Sequence, residues 1–80
     1  QLSKVAVRGQ VPSLIDLLTP REREVFQLLA EGHQTKEVAF RLEVSPKTIE
    51  THRLSLLSKL KADGVADLIR MAIREGLVKL

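Results

Sequence analysis

The sequence predicts an all-α fold, a small bundle of four short helices, and three observations predict it. Apolar residues recur three and four apart in four separate stretches, the spacing of one helix face. Two of those stretches open on a hydroxyl residue followed by proline, Thr19-Pro20 and Ser45-Pro46, and two close on glycine, Gly32 and Gly76. No stretch alternates long enough to make a strand, and there is no internal repeat. At 80 residues the chain fits one domain, near the size where a single core becomes marginal. Apolar residues make up 44%, mostly Leu, Ile, Val and Ala with two Phe, so the expected core is aliphatic.

Residues 1–17 are the least regular part. Gly9 and Pro12 interrupt any long period, and the alternation at Val5 and Val7 is too short for a strand. This stretch is expected to be a linker or tail, with 18–80 as the folded domain. A linker packed through Leu14, Ile15, Leu17 and Leu18, with one helical turn capped by Ser13, and a partly disordered tail both fit.

The first helix is expected over about 20–31. Thr19 suits the N-cap, Pro20 the first helical position, and Glu22 the third, from which it reaches back to the cap. Val25, Phe26, Leu28, Leu29 and Ala30 follow at helical spacing, and Gly32 supplies a left-handed stop. Glu22 and Glu24 sit favourably in the first turns. Glu24 either pairs with a basic residue of the third helix, such as Arg53, or makes a plain solvated pair.

A second helix is expected over about 35–42, with Thr35 as N-cap and Val38, Ala39 and Leu42 facing inward. Ala39 is small where two helices must approach closely. Glu43-Val44-Ser45 forms the turn, and Val44 plugs the core between the helices on either side. The third helix, over about 46–60, has Ser45 as cap and Pro46 in its first turn. Ile49, Leu56, Leu57 and Leu60 are its expected core residues, and Arg53 shares their face. The opposite face carries Lys47, Glu50, Thr51, Leu54 and Ser58. The fourth helix, over about 65–75, is expected to be capped by Asp63. Its apolar positions are Val65, Leu68, Ile69, Ala72 and Ile73, with Met71 nearby.

A short helix, a three-residue turn and a longer helix with a polar, partly basic outward face have the layout of a helix-turn-helix, whose second helix enters the major groove of DNA. Charge is placed accordingly. The whole chain carries a net charge of +3, and the segment 35–61 alone also carries +3, from Lys36, Arg41, Lys47, Arg53, Lys59 and Lys61 against Glu37, Glu43 and Glu50. With no cysteine there is no disulfide and no thiolate metal site. His33 and His52 stand without a carboxylate cluster or a nucleophile, so neither a metal site, a cofactor nor catalysis is expected. No apolar run approaches a membrane span, the sequence shows no signal-peptide pattern, and a cytoplasmic location is expected. The chain opens on Gln1, which fits a fragment of something longer.

Leu18-Thr-Pro-Arg-Glu-Arg-Glu-Val25 and Leu28-Leu-Ala-Glu-Gly32 resemble the opening of the LuxR-type (NarL/FixJ) helix-turn-helix domain. Lys36-Glu-Val-Ala39, Ser45-Pro-Lys-Thr-Ile49, His52-Arg53 and Lys59-Leu60 continue that family's pattern at its usual spacing, so the likeness covers roughly residues 18 to 78. The resemblance implies a four-helix DNA-binding output domain of a bacterial transcription regulator, such as a two-component response regulator. It also implies a regulatory domain ahead of the chain, with residues 1–17 as the connection. Family members commonly bind DNA as dimers through the fourth helix, which implies Val65, Leu68, Ile69 and Met71 as interface residues. RNA polymerase is a further expected partner. Three positions depart from the family: Glu43 stands where Gly is frequent, Ser55 where Asn is, and Val65 where Arg is.

Helix starts favour phosphate, through exposed N–H groups and the helix dipole. The expected phosphate contacts are Thr35, Lys36, Thr48, His52, Arg53, Ser58 and Lys59, with Lys47 also placed for that role. Thr35 serves equally well as a cap alone. The expected base readers are Lys47, Glu50, Thr51 and Leu54, the last three at positions the resemblance also implies. Lysine donates to guanine, glutamate accepts from cytosine, and Leu54 and the Thr51 methyl suit a thymine methyl. Glu50 has an alternative use, repelling phosphate from a misdocked helix. The rival readings are a protein-interaction module built on the same helices and a promoter-reading region like that of a sigma factor. Thr19-Pro20, Lys47-Thr48 and His52-Arg53 favour the LuxR type over the latter.

Overall fold

A computed structural model describes residues 14–78, all of them helix, turn or irregular backbone with no strand among them. A 3-10 turn, Leu14–Leu17, leads into four α-helices: α1 (Pro20–Ala30), α2 (Thr35–Leu42), α3 (Pro46–Leu60) and α4 (Val65–Arg74). Ser13, Val5, Val7 and the rest of residues 1–13 lie outside the described residues. Of the four residues expected to pack the first segment, Ile15 and Leu18 are buried, whereas Leu14 and Leu17 are exposed. The folded unit therefore includes a turn that the sequence assigns to the linker.

Capping fixes where the helices begin. Thr19 Oγ1 accepts from Glu22 N at 3.1 Å and Thr19 N donates back to Glu22 Oε1 at 3.0 Å, a complete capping box ahead of α1. Ser45 Oγ accepts from Thr48 N at 3.1 Å at the start of α3. The other two starts correct the sequence reading. Gln34, not Thr35, is the N-cap of α2, and Gly64, not Asp63, is that of α4; neither makes a side-chain cap bond. Thr35 is already helical, and Asp63 instead donates its backbone N–H to Asp67 Oδ2 at 2.8 Å.

All four helices end alike. The N–H of His33, Val44, Ala62 and Leu77 returns to the carbonyl of Leu28, Ala39, Leu57 and Ala72, five residues back, at 2.8–3.1 Å. Each such closure needs a left-handed residue just before that N–H. Gly32 (φ 100°) and Gly76 (φ 77°) supply it without strain, but Glu43 (φ 59°) and Lys61 (φ 56°) adopt it with a Cβ. The helical stretches of α1 and α4 stop at Ala30 and Arg74, so Glu31 and Glu75 are closing residues.

The core lies where α1 meets α3 and α4, and where α2 meets α3. Val25, Phe26, Val38, Ile49, Leu56, Leu68 and Ala72 are wholly buried, with Leu29, Ala30, Ala39 and Leu60 close to it. Each large aliphatic or aromatic side chain so buried contributes about 1.5–3 kcal/mol of transfer free energy. Val44 and Leu57 are half-buried and pack against this cluster. Among the described residues one polar side chain, Glu22, is buried with it.

Candidate nucleic-acid interface

The helix α3 is clamped on its inner side and open on its outer side. Ile49, Leu56 and Leu60 anchor it to the core, and Val44 seals the turn between α2 and α3. Lys47, Thr51, Leu54 and Ser58 are exposed, and Glu50 is half-buried beside them. Leu54 is 61% exposed, a large apolar side chain in the middle of a polar row. The Thr51 hydroxyl donates to Lys47 O at 3.2 Å, so its proton is committed to the helix while its methyl and lone pairs remain available. Among the described residues, Lys36 and Lys47 have no ion-pair partner, which leaves both ammonium groups for an external anion.

Several of the expected contact residues are engaged inside the protein. Thr35 Oγ1 donates to Glu50 Oε2 at 3.0 Å, while Arg53 Nε and Nη2 donate to Glu50 Oε1 at 3.0 and 2.8 Å. This three-residue clasp ties the start of α2 to α3. It holds the Glu50 carboxyl below the ordinary carboxylate range, chiefly through Arg53 and then Thr35. Thr48 shares a hydrogen bond with Ser45 at 3.0 Å between the two hydroxyls. His52 is half-buried on α3. Arg53 does not pair with Glu24, which pairs with Arg21 at 3.1 Å on the surface of α1.

Lys59 is withdrawn further. Its Nζ lies 2.7 Å from Glu22 Oε1, and Ser55 Oγ donates to Glu22 Oε2 at 2.6 Å. Together with the Thr19 N–H these donors pull the Glu22 carboxyl from 4.5 down to about 2, with Lys59 the largest cause. Glu22, not Glu24, is thus the carboxylate that joins α1 to α3, and the serine at position 55 is the right length to complete the set. Its inward position was legible: Glu22, Val25, Phe26 and Leu29 share one helical stripe. The sequence reading gave it a capping role and a place in the helix dipole, not a partner on α3.

Two further placements differ from expectation. Leu68, a candidate interface residue, is wholly buried in the core and has no surface to offer a partner. Of its companions, Val65 is exposed, and Ile69 and Met71 are half-buried. Phe40, which the sequence reading passed over, is 85% exposed on α2. The signal was there, because Phe40 falls outside the inward stripe of Val38, Ala39 and Leu42. His33 bridges the end of α1 to α2, with Nδ1 2.9 Å from Glu37 Oε1 and Nε2 3.7 Å from Glu31 Oε1. Among the described residues no cluster of potential metal ligands occurs and no helix is long and apolar enough to cross a membrane.

Comparison with known proteins agrees with this geometry. The family described as "Bacterial regulatory proteins, luxR family" matches residues 16–72. The uncharacterized response regulatory protein YgeK of Escherichia coli is 48% identical over 59 residues, covering 74% of this chain and 40% of that protein. The transcriptional regulatory protein FixJ of Bradyrhizobium diazoefficiens is 34% identical over 73 residues, covering 91% and 36%. UhpA of Salmonella typhimurium, also a transcriptional regulatory protein, is 48% identical over 59 residues, covering 74% and 29%. The crystal structure of full-length FixJ from B. japonicum superposes with a TM-score of 0.74 at 35% identity, over 82% of this chain and 32% of that one. The chain spans well under half the length of these relatives.

Proposed function

The chain belongs to the luxR family of bacterial regulatory proteins, DNA-binding domains of transcription regulators rather than enzymes, and from that premise we propose that it is the output domain of a two-component response regulator, with α3 as its recognition helix. The observation that carries this reading is the outward row of α3. A helix anchored by Ile49, Leu56 and Leu60 presents Lys47, Thr51 and Leu54 to the outside, on a unit that also exposes Lys36. That is an anchored reader flanked by cations that have no ion pair among the described residues.

In this reading α3 lies in the major groove. Lys47, Thr51 and Leu54 meet base edges, while Lys36, Thr48, His52 and Ser58 face the phosphate backbone. Thr35, Glu50 and Arg53 border the same surface. Lys59 is left out, because its charge is satisfied by Glu22. Two copies read half-sites about one helical turn apart, joined through Val65, Ile69 and Met71 of α4. A regulatory domain precedes residues 1–17 in the whole protein and controls the pairing, RNA polymerase is the further partner, and the protein works in the cytoplasm.

Anisotropy of a labelled duplex across a salt series tests this. Log affinity is expected to fall linearly with log salt, the mark of released counterions. Lys36→Ala is expected to weaken binding similarly on all sequences, and Lys47→Ala and Leu54→Ala to change base preference. Absence of binding at low salt, for the chain and for a covalently forced dimer, would overturn the reading in favour of a protein-interaction module.

A further inference from the structure

The clasp at Glu50 has a chemistry of its own. An arginine fork and a threonine hydroxyl are donors that suit a phosphate as well as a carboxylate, because both anions accept N–H and O–H at similar distances. Both donors of the clasp, Thr35 Oγ1 and the Arg53 guanidinium, are spent on one carboxylate. The carboxylate stands on α3 itself, one residue before Thr51 and four before Leu54. The clasp is open to water, with the Glu50 and Arg53 side chains 44% and 28% exposed. An open pocket lies against it, lined by Gly32, Gln34, Thr35, Glu50 and Arg53, so another anion has room to approach. A half-buried pair with this much access to water is weak enough to exchange.

We propose that Glu50 is an internal stand-in for a DNA phosphate: its carboxylate occupies Thr35 and Arg53 in the free protein, and docking on DNA exchanges it for a backbone phosphate. The inference rests on the DNA-binding reading above. Because one anion replaces another, this point adds little to sequence-independent affinity. Contacts to bases then carry a larger share of the binding, and Glu50 determines specificity without reading a base. An Arg53 with no carboxylate beside it would grip any duplex.

The test uses the 80-residue chain, a random-sequence duplex and a duplex selected from a random pool by the unaltered protein. Glu50→Ala, with Glu50→Gln as the shape-preserving second variant, is expected to bind the random duplex several-fold tighter at low salt. The slope of log affinity against log salt should steepen by about 0.9, one additional phosphate neutralised. The gain on the selected duplex should be smaller, so the specificity ratio falls. In an Arg53→Ala background the same change at Glu50 should give no gain, since no masked guanidinium is left to release. An equal gain in both backgrounds would mean plain repulsion and would overturn the proposal. So would a loss of affinity on the random duplex, which would make Glu50 a positioning residue. A change of preference at one base pair without a change in slope would make it a base reader and overturn it too. A DNA-free readout separates the two levels. The Arg53 Nε–H proton should exchange slowly in the unaltered chain and quickly in Glu50→Ala. If that holds while neither the chain nor a forced dimer binds any duplex, the DNA-binding reading has failed and the proposal falls with it, the clasp remaining.

Discussion

Two glutamates on neighbouring helices are each satisfied by a cation and a hydroxyl, and they serve opposite ends. Glu22 accepts from Lys59, Ser55 and the Thr19 backbone with its side chain 6% exposed. Glu50 accepts from Arg53 and Thr35 with its side chain 44% exposed. Donor chemistry is nearly the same; access to water differs. Removing one member of a buried set leaves desolvated groups with nothing to replace the lost bonds, so the set behaves as structure. Members of an exposed set turn to water or to another anion, so the set is free to act as an exchangeable contact. The helix α3 carries one face of each kind.

The largest expected effect lies on the buried side. Glu22→Ala strands Ser55 and Lys59 beneath α1 and removes half the capping box. Loss of a partner from a fully buried pair costs about 3–5 kcal/mol, but Lys59 remains in partial contact with water, so about 2 kcal/mol is expected here. Urea unfolding measures it. Glu50→Ala should shift the same midpoint far less while changing DNA affinity; equal midpoint shifts would erase the contrast between the two sites.

Acid provides the second comparison. The Glu22 carboxyl is depressed from 4.5 to about 2 in the folded chain. A group whose folded value lies below its unfolded one binds protons more readily when unfolded. Its contribution is therefore fully present above about pH 4.5 and is lost as pH falls from there toward 2. Glu22→Gln should flatten stability against pH across that window. Glu50→Gln should flatten it less, since its carboxyl is lowered from 4.5 in an open site. Thermal melts at half-unit pH steps read the difference.

A third effect concerns the turn between α2 and α3. Gly32 and Gly76 close their helices without strain, while Glu43 and Lys61 close theirs with side chains at φ 59° and 56°. The left-handed region costs a non-glycine residue about 1–2 kcal/mol, and glycine gives back part of that through greater unfolded-state entropy. Glu43→Gly is expected to raise stability by about 0.5–1 kcal/mol, read as a higher midpoint with an unchanged denaturant slope. A loss would mean that the Glu43 side chain makes an interaction worth more than the strain.

The elements were legible because each announces itself locally. Proline after Thr19 and Ser45 starts two helices, Gly32 and Gly76 stop two, and the stripes from Val25, Val38, Ile49 and Leu68 face the core they make. The outward row of α3 was legible for the same reason, since it is what those stripes leave over. Partnership was not. Periodicity gives a face but not which cation meets which carboxylate: Arg53 and a plain solvated partner both fitted Glu24, which pairs with Arg21 on the surface, and the carboxylate that meets a cation of α3 is Glu22, on Lys59. Depth was also lost on α4, where Leu68 and Val65 look equally apolar in sequence although one is core and the other surface. Caps without side-chain bonds left no mark, so Thr35 and Asp63 took the roles of Gln34 and Gly64.

The smallest expected effect separates charge that is presented from charge that is spent. Lys36 is exposed with no ion pair among the described residues, whereas Lys59 lies 2.7 Å from a buried carboxylate. Each phosphate neutralised adds about 0.9 to the salt slope. Lys36→Ala should therefore reduce the slope by about 0.9, a change of roughly threefold in relative affinity between 50 and 200 mM salt, and leave the unfolding midpoint almost unmoved. Lys59→Ala should do the reverse, lowering the midpoint through Glu22 while the slope stays the same at temperatures where the chain is folded. If Lys59→Ala flattened the slope as much as Lys36→Ala, DNA would be drawing Lys59 away from Glu22. The boundary between scaffold and interface would then run through the middle of the Glu22 set.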